Sequence, residues 1–127
     1  MKVRDCKIDD EYIKVGPDQD LNSVKNRYCH FIVVIENKKP IGIVTNNDII
    51  RNVKSEEDYK RLKFRDIMSS PVFTVGEDDD MEKVGRLMVE KGFMSLPVVN
   101  KKGEFVGLIT YFDYLGVIAN RLRSVKK

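Results

Sequence analysis

Ile41-Gly42-Ile43-Val44-Thr45-Asn46-Asn47-Asp48 and Val106-Gly107-Leu108-Ile109-Thr110-Tyr111-Phe112-Asp113 are two versions of one pattern in different halves of the chain. In each version an apolar run that is typical of a strand ends in Thr-x-x-Asp. Positions 15–21 and 75–81 form a second matching pair, and both begin with Val-Gly. Such repetition indicates a fold built from two copies of one unit. The two hydroxyl and carboxylate pairs therefore predict two equivalent ligand positions, related by a pseudo-twofold axis.

The composition is that of an ordinary soluble globular protein. Hydrophobic residues make up 42% and charged residues 34% of the 127 residues, and the net charge is only +3. The sequence has no apolar run of about 18 residues, which argues against a membrane span. The N-terminus lacks the apolar segment of a secretory signal, so we expect a cytoplasmic protein.

Candidate metal ligands and catalytic groups are sparse. The chain has two cysteines, Cys6 and Cys29, and one histidine, His30, without a Cys-x-x-Cys pair. We interpret the cysteines as free packing thiols and His30 as a structural residue. Positions 77–80 form an acidic run, but four consecutive side chains at a helix start cannot converge on one ion. The sequence also lacks a Ser/His/Asp or Cys/His arrangement and a Gly-x-x-x-x-Gly-Lys loop, so we expect neither a metal site nor an enzyme.

The second copy shows the clearer order of elements: strand, helix, strand, strand, helix. Asp78 is the predicted N-cap of its first helix, and Gly92 is the predicted C-terminal cap. Thr110 is the predicted cap of its second helix. From the apolar periodicity and the turn residues, we place these elements at 71–75, 78–91, 94–99, 105–109 and 111–123.

The first copy follows the same order with a shortened first helix. The offset between matching positions increases by five between Val24 and Cys29, so this helix has lost five residues and should end near Tyr28. Its predicted elements are a strand at 12–15, a helix from Asp18, strands at 31–35 and 41–44, and a helix from Thr45. We divide the chain into a first repeat at 1–54, a linker helix at 55–63 and a second repeat at 64–127.

This doubled order of elements, with Gly-h-h-Thr-x-x-Asp closing each copy, resembles the CBS (cystathionine-β-synthase-type) domain pair, or Bateman module. The resemblance covers nearly the whole chain. It rests on positions 107–113, on Leu96-Pro97-Val98-Val99 and on positions 65–72, which look like the family's usual lead-in to the second copy. The first copy departs from the pattern, since Phe31-Ile32-Val33-Val34 lacks a proline and the lead-in reads Val3-Arg4-Asp5-Cys6-Lys7-Ile8. The implied fold is mixed α/β (α+β), with tandem β-α-β-β-α repeats packed with pseudo-twofold symmetry.

The resemblance implies a stand-alone regulatory binding module that is not an enzyme. Members of the family commonly bind an adenosine-containing ligand (AMP, ADP, ATP, adenosylmethionine or NAD) in clefts between the two copies, and commonly pair into a flat homodimer. No cofactor is required. At matching positions, Asp48 and Asp113 would hold the ribose hydroxyls, and Thr45 and Thr110 would lie beside the first phosphate.

The chemistry of Thr-x-x-Asp supports this role but also permits a simpler one. An ionised Asp only accepts hydrogen bonds and can take both hydroxyls of a cis-diol. A Thr at a helix start offers a hydroxyl and free backbone N–H groups that attract phosphate. The alternative is that the Thr is an ordinary N-cap and the Asp an ordinary helix-start carboxylate. Two copies at equivalent places favour at least one working ligand site.

The resemblance also implies two unequal adenine slots. The second site would use Val72, Ser95, Leu96 and Pro97, and the first would use Tyr12, His30, Phe31 and Ile32. Arg51 lies one turn beyond Asp48 and is placed to meet a phosphate, whereas its counterpart in the second copy is Gly116. The intact pattern of the second copy favours it as the occupied site.

Three functions stay open. The first is a sensor that binds an adenosyl nucleotide and modulates a separate partner protein. The second is a ligand-free dimerisation or assembly module, favoured by the departures in the first copy. The third is nucleic-acid binding through the basic stretch 121–127, which is equally typical of a solvated helix terminus.

Overall fold

The computed structural model describes residues 1–6, 8, 12–27 and 31–125. The chain forms two compact units, and each contains the three-stranded sheet of one sequence repeat. We call Glu11–Phe73 the first unit, and Met1–Asp10 with Thr74–Lys127 the second unit. The mixed α/β fold expected from the sequence is confirmed. In the described residues no helix is both long and apolar enough to cross a membrane.

The first unit contains a three-stranded sheet in the order β1-β2-β3. β1 runs parallel to β2, and β2 runs antiparallel to β3. Its strands and helices are β1 (Ile13–Val15), β2 (Phe31–Glu36), β3 (Lys39–Thr45), α1 (Asn46–Asn52), α2 (Glu56–Arg61) and α3 (Phe64–Ile67). Its buried core is Ile13, Val15, Leu21, Val24, Ile32, Val34, Val44, Phe64 and Ile67.

The second unit repeats this topology with the order β4-β5-β6. β4 is parallel to β5, and β5 is antiparallel to β6. Its strands and helices are β4 (Val75–Gly76), α4 (Met81–Lys91), β5 (Ser95–Val99), β6 (Phe105–Thr110) and α5 (Tyr111–Val125). Its buried core is Val3, Val75, Met81, Val84, Met88, Leu96, Val98 and Ile109.

Each repeat is preceded by a lead-in segment, residues 3–8 for the first repeat and 64–72 for the second. Each lead-in segment belongs to the compact unit of the other repeat. Val3 lies in the second unit, where its N–H donates to the Asp79 carbonyl at 2.9 Å. Phe64 lies in the first unit, where its N–H donates to the Gln19 carbonyl at 3.1 Å. Both side chains are fully buried. Each unit is therefore completed by a segment from outside its own sequence repeat.

Ion pairs reinforce these two lead-in contacts in the same way. Arg4 pairs with Asp78 in the second unit, and Arg65 Nε lies 3.2 Å from Asp18 Oδ1 in the first. The Arg65 guanidinium holds the pKa of Asp18 below its usual value, through a hydrogen bond and through its charge. The equivalent pairs show that the lead-in segments, like the strands, are repeated parts of the fold.

Two helix starts differ from the sequence expectation. The predicted N-cap of α4, Asp78, is wrong, because Asp80 is the N-cap and accepts from the Lys83 N–H at 3.3 Å. The helix predicted from Asp18 is instead a single 3-10 turn, Leu21–Val24, capped by Asp20. In each unit the residue two positions before the cap lies in a turn and pairs with the lead-in arginine. The turns are closed by the Gln19 N–H on the Gly16 carbonyl and by the Asp79 N–H on the Gly76 carbonyl. The predicted end near Tyr28 lies outside the described residues.

The bounds of the remaining elements agree with the predicted bounds within a few residues, apart from the strand predicted at 71–75. Only Val75–Gly76 pairs as a strand, with Val98 and Val99. Gly92 caps α4 in the left-handed conformation, with a φ of 69°. The linker contains helix Glu56–Arg61 as expected, while the division at 1–54, 55–63 and 64–127 stays a prediction.

Candidate functional site

Thr45 and Asp48 join β3 to α1 through a reciprocal cap. The Thr45 N–H and hydroxyl both donate to Asp48 Oδ2, at 2.9 and 3.1 Å. The Asp48 N–H donates to Thr45 Oγ1, with 3.4 Å between the nitrogen and the oxygen. Asp48 is 8% exposed. The capping role that the sequence left open is therefore present, and it occupies one of the two carboxylate oxygens.

Thr110 and Asp113 build the same junction between β6 and α5. The Thr110 N–H and hydroxyl donate to Asp113 Oδ2 at 2.7 and 3.1 Å. Thr110 is 5% exposed, whereas Asp113 is partly exposed. Within the described part of the chain, Asp113 Oδ1 receives no hydrogen bond. That oxygen can accept from a ligand hydroxyl.

The two sites differ at the second carboxylate oxygen. Asp48 Oδ1 accepts from Arg51 Nη2 at 3.1 Å, and the Arg51 side chain is itself 73% exposed. At the matching position in α5 the second unit has Gly116, which has no side chain to pair with Asp113. The carboxylate of the first site is thus paired with a cation on its own helix, and α5 offers no such cation to the second.

In the first unit the sheet register brings several predicted slot residues to the Thr45 end of the strands. Phe31 pairs with Thr45 across β2 and β3, and Ile32 pairs with Val44. Tyr12 precedes Ile13, which pairs with Ile32. Phe31 and Ile32 are buried, whereas Tyr12 is partly exposed. His30 lies outside the described residues.

In the second unit the register gathers the matching residues at the Thr110 end of the sheet. Ser95 pairs with Thr110, and Leu96 and Pro97 follow along β5. Leu96 is 2% exposed and Pro97 is also buried, so mainly Ser95 and the backbone face outward here. Val72 belongs to the first unit and is not in the unit of Thr110 and Asp113. Its place in the second slot stays a prediction from the sequence.

The glycine of each Gly-h-h-Thr motif allows a lead-in segment to pass close to the sheet. In the first unit, a Cβ on Gly42 would lie 2.5 Å from Met68 Sδ. In the second unit, a Cβ on Gly107 would collide with the carbonyl oxygen of Ile8. Sequence reasoning missed this role of the lead-in, although its repetition at 3–6 and 64–67 was a usable signal.

Cys6 is part of the environment of the second site. Its Sγ lies 3.7 Å from Met1 Sδ, and its side chain is partly buried. Burial raises the pKa of the Cys6 thiol, and the negative charges of Asp113 and Asp5 raise it further. The thiol is therefore kept neutral, which agrees with its interpretation as a packing residue and not a nucleophile.

The acidic run 77–80 is divided among several partners and does not form a metal-binding group. Glu77 and Asp78 face Arg4, and the Asp79 carboxylate accepts from the Gly76 N–H. Among the described residues, no group of three or more His, Cys, Asp or Glu side chains could hold a metal ion. Part of the basic terminus is also neutralised, because Arg121 pairs with Glu82.

Comparison with known proteins establishes the family. The family model of the CBS domain matches this chain twice, at residues 3–55 and 64–120. The chain belongs to the CBS domain family. An uncharacterised protein of Methanopyrus kandleri is 40% identical to this CBS pair over 87 residues, which is 68% of this chain and 44% of that protein.

Solved structures share the fold of this CBS pair. The cytosolic domain of the Mg²⁺ channel MgtE in complex with ATP is 27% identical, with a TM-score of 0.69 over 84% of this chain and 44% of that one. CBSX2 in complex with AMP superimposes with a TM-score of 0.74 over 99% of this chain and 98% of that one. Its identity is 18%, so it supports the fold alone. This chain spans less than half the length of the first curated relatives it matches.

Proposed function

We propose that this CBS pair is a regulatory module that binds an adenosine-containing nucleotide, with the second unit as its main site. The observation that carries the proposal is the junction of β6 and α5. There Asp113 uses only Oδ2 as a cap and, among the described residues, leaves Oδ1 open beside Thr110. No cofactor is required for this role.

The open carboxylate oxygen suits a ribose. A carboxylate oxygen has two acceptor positions, so Asp113 Oδ1 can accept from both hydroxyls of a cis-diol. The Thr110 hydroxyl and the N-terminus of the 15-residue helix α5 lie next to it. A helix N-terminus presents unpaired N–H groups to phosphate. Asp113 is therefore assigned to the ribose and Thr110 to the first phosphate.

The adenine would bind at the sheet ends that carry these junctions. In the second unit Ser95, Leu96 and Pro97 supply strand backbone and apolar surface, and Val72 is assigned to this slot from the sequence. In the first unit the equivalent roles fall to Tyr12, His30, Phe31 and Ile32. Thr45 and Asp48 take the phosphate and ribose there, with Arg51 beside them.

A related structure supports the ligand class. The cytosolic domain of MgtE, 27% identical to this chain, was solved in complex with ATP. We assign AMP, ADP, ATP, adenosylmethionine and NAD as the ligand set to be tested. The regulated target is a separate partner protein, the assembly a homodimer and the location the cytoplasm. All three are predictions from the sequence.

The decisive experiment is a thermal-shift screen with these five ligands on three proteins. They are the wild type, Asp113→Asn and Asp80→Asn. Asparagine keeps an acceptor for the Thr110 cap but loses the charge, so it separates ligand binding from helix capping. Asp80→Asn is the matched control, because Asp80 caps α4 through its own side chain.

At a hundredfold excess over Kd, a ligand should stabilise the fold by about 2.7 kcal/mol. We expect a rise in melting temperature for the wild type and for Asp80→Asn, and a much smaller rise for Asp113→Asn. A ligand that stabilises Asp113→Asn as strongly as the wild type would refute the assignment of Asp113. A flat panel for the wild type would refute nucleotide binding.

The second candidate is the ligand-free assembly module, with a second copy of this chain as the partner. It is favoured by an apolar groove of about 450 Å³ between α4 and α5. Three of the apolar side chains that line the groove are exposed, namely Val89, Met94 and Leu115. Phe112 and Leu122 on α5 are exposed as well. Exposed apolar patches of this kind commonly mark contact surfaces. A flat ligand panel together with a dimer by light scattering would support this candidate.

A further inference from the structure

The observation is an ion pair that is present at one Thr-x-x-Asp junction and that the matching residue of the other junction cannot form. Arg51 Nη2 donates to Asp48 Oδ1 at 3.1 Å, and Arg51 Nε lies 3.4 Å from the Asn47 carbonyl. Both contacts lie within α1. In the second unit the matching residue is Gly116.

The ion pair reduces the number of acceptor positions that Asp48 can offer to a ligand. A carboxylate offers about four lone-pair positions. In Asp48, the Thr45 N–H and hydroxyl occupy the two on Oδ2, and Arg51 occupies one on Oδ1. One position is left, although a ribose diol needs two. In Asp113 the Oδ2 positions are used in the same way, and Oδ1 keeps both of its positions in the described structure.

We propose that Arg51 makes the first unit selective for phosphorylated adenosine ligands, by competing with the ribose for Asp48 unless a phosphate draws the guanidinium away. The proposal deepens the proposed function and rests on it. The second unit, which has Gly116 in place of this arginine, takes phosphorylated and unphosphorylated adenosine ligands with less discrimination.

The competition is of the right strength to be switched by a ligand. The Arg51 side chain is 73% exposed and that of Asp48 only 12%, so the guanidinium can turn into solvent while the carboxylate stays in place. An exposed ion pair contributes little to stability. A phosphate near neutral pH carries a charge of about −1.5 to −2 and can accept two parallel bonds from a guanidinium.

An unphosphorylated ligand has nothing to offer Arg51. The hydroxyls of adenosine are neutral and form weaker hydrogen bonds with a carboxylate than a guanidinium does. Adenosine must therefore either share Asp48 through one hydroxyl or displace a cation without compensation. AMP gains the Arg51–phosphate contact and also recovers the second acceptor position on Asp48.

The test is calorimetric titration of the full chain with AMP and with adenosine. Asp113→Asn serves as the background, so that the first unit dominates the signal. Within it, Arg51→Ala removes the competitor. Arg86→Ala is the matched control, because the Arg86 side chain is 71% exposed and pairs with Glu82 one turn away on α4.

In the Asp113→Asn background we expect AMP to bind about tenfold or more tightly than adenosine, the effect of one charge-assisted hydrogen bond. Arg51→Ala should reduce this preference by about tenfold, because it weakens the binding of AMP and strengthens the binding of adenosine. Arg86→Ala should leave the preference unchanged. If the background binds neither ligand, gain of adenosine binding on Arg51→Ala would still support the proposal.

Three results would overturn the proposal. Arg51→Ala could change both affinities by the same factor, or adenosine could already match AMP in the background. The double variant could also bind neither ligand. In each case, AMP binding by the wild type would show that the proposed function survives without this role for Arg51. Absence of binding by the wild type would refute the proposed function itself.

Discussion

Among single residues, the two aspartates of the Thr-x-x-Asp motifs each divide their carboxylate between two tasks. Oδ2 of Asp48 and of Asp113 closes a helix cap with the preceding threonine. The other oxygen is directed to Arg51 in the first unit, and in the second it has no partner among the described residues. A change to alanine would remove both tasks at once, which is why asparagine is the informative substitution.

A prediction for single residues concerns Cys6 and Asp113. Because burial and then the charge of Asp113 raise the pKa of the Cys6 thiol, alkylation should reach half its limiting rate above pH 8.5, roughly the value of a free cysteine. Asp113→Asn should move that midpoint to lower pH, whereas Asp80→Asn should not. The rate of reaction with iodoacetamide, measured in a Cys29→Ser background, checks this.

The raised pKa of Cys6 also makes the free energy of unfolding depend on pH. The folded protein favours the neutral thiol, so this contribution to stability is present below the ordinary pKa of cysteine. It is lost as the pH rises through the raised pKa. A midpoint at or below about pH 8.5 would contradict the raised pKa of the thiol, and a midpoint that Asp113→Asn leaves in place would contradict the influence of Asp113 on it.

Among the elements, each sheet depends on a lead-in segment that crosses it at a glycine. In the first unit the Ser69 N–H donates to the Ile43 carbonyl at 2.9 Å, and in the second the Leu108 N–H donates to the Ile8 carbonyl at 2.7 Å. The shared geometry explains the glycine of the motif without a ligand. It also places the lead-in next to the strand that carries the threonine.

A prediction for these elements compares two glycine substitutions. Gly42→Ala and Gly107→Ala should each destabilise the protein by about 1 to 3 kcal/mol, because the added methyl overpacks the lead-in contact. Met68→Ala should largely relieve Gly42→Ala, since the obstruction there is a side chain. Ile8→Ala should relieve Gly107→Ala less, since the backbone carbonyl of Ile8 remains.

Double-mutant cycles from urea unfolding measure these two couplings. The expected result is a larger favourable coupling for the Gly42 and Met68 pair than for the Gly107 and Ile8 pair. Equal couplings would show that the two lead-in segments meet their sheets in the same way, contrary to the contacts described.

In the molecule as a whole, the compact units are not the sequence repeats. Met1–Asp10 belongs to the second unit, and the segment around Phe64 belongs to the first. Val3 and Phe64 are each fully buried in the unit that they complete. The stability of each unit therefore depends on a segment from the other sequence repeat, and in the second unit this segment is also distant from the rest of the unit in the sequence.

A prediction for the whole molecule follows for Val3. Val3→Ala should cost about 2 kcal/mol and reduce hydrogen-exchange protection in β4, β5 and β6. Phe64→Ala should cost about 3 to 5 kcal/mol and act on β1, β2 and β3. Val106→Ala is the matched control, because Val106 is 36% exposed and should change little. Loss of protection in β1 to β3 on Val3→Ala would show that the units are assigned wrongly.

Much of the fold could be predicted from the sequence because its signals are local. The apolar runs, the turn at 100–104, the cap at Gly92 and the repeated Thr-x-x-Asp depend on neighbouring residues only. The helix starts were misplaced because Asp18 and Asp78 lie in turns that precede the true caps, Asp20 and Asp80. Aspartate is favoured both in turns and at N-caps, so local propensity did not separate the two positions.

Residue order alone was enough to establish the two-copy organisation, most of the order of elements, the family and the polar residues that end the third strand of each copy. The folded structure was needed to show which lead-in completes which unit, and how the lone pairs of Asp48 and Asp113 are used. The physical reason is that a repeat is a property of residue order. Core completion and hydrogen-bond occupancy depend instead on atoms that meet only after the chain has folded.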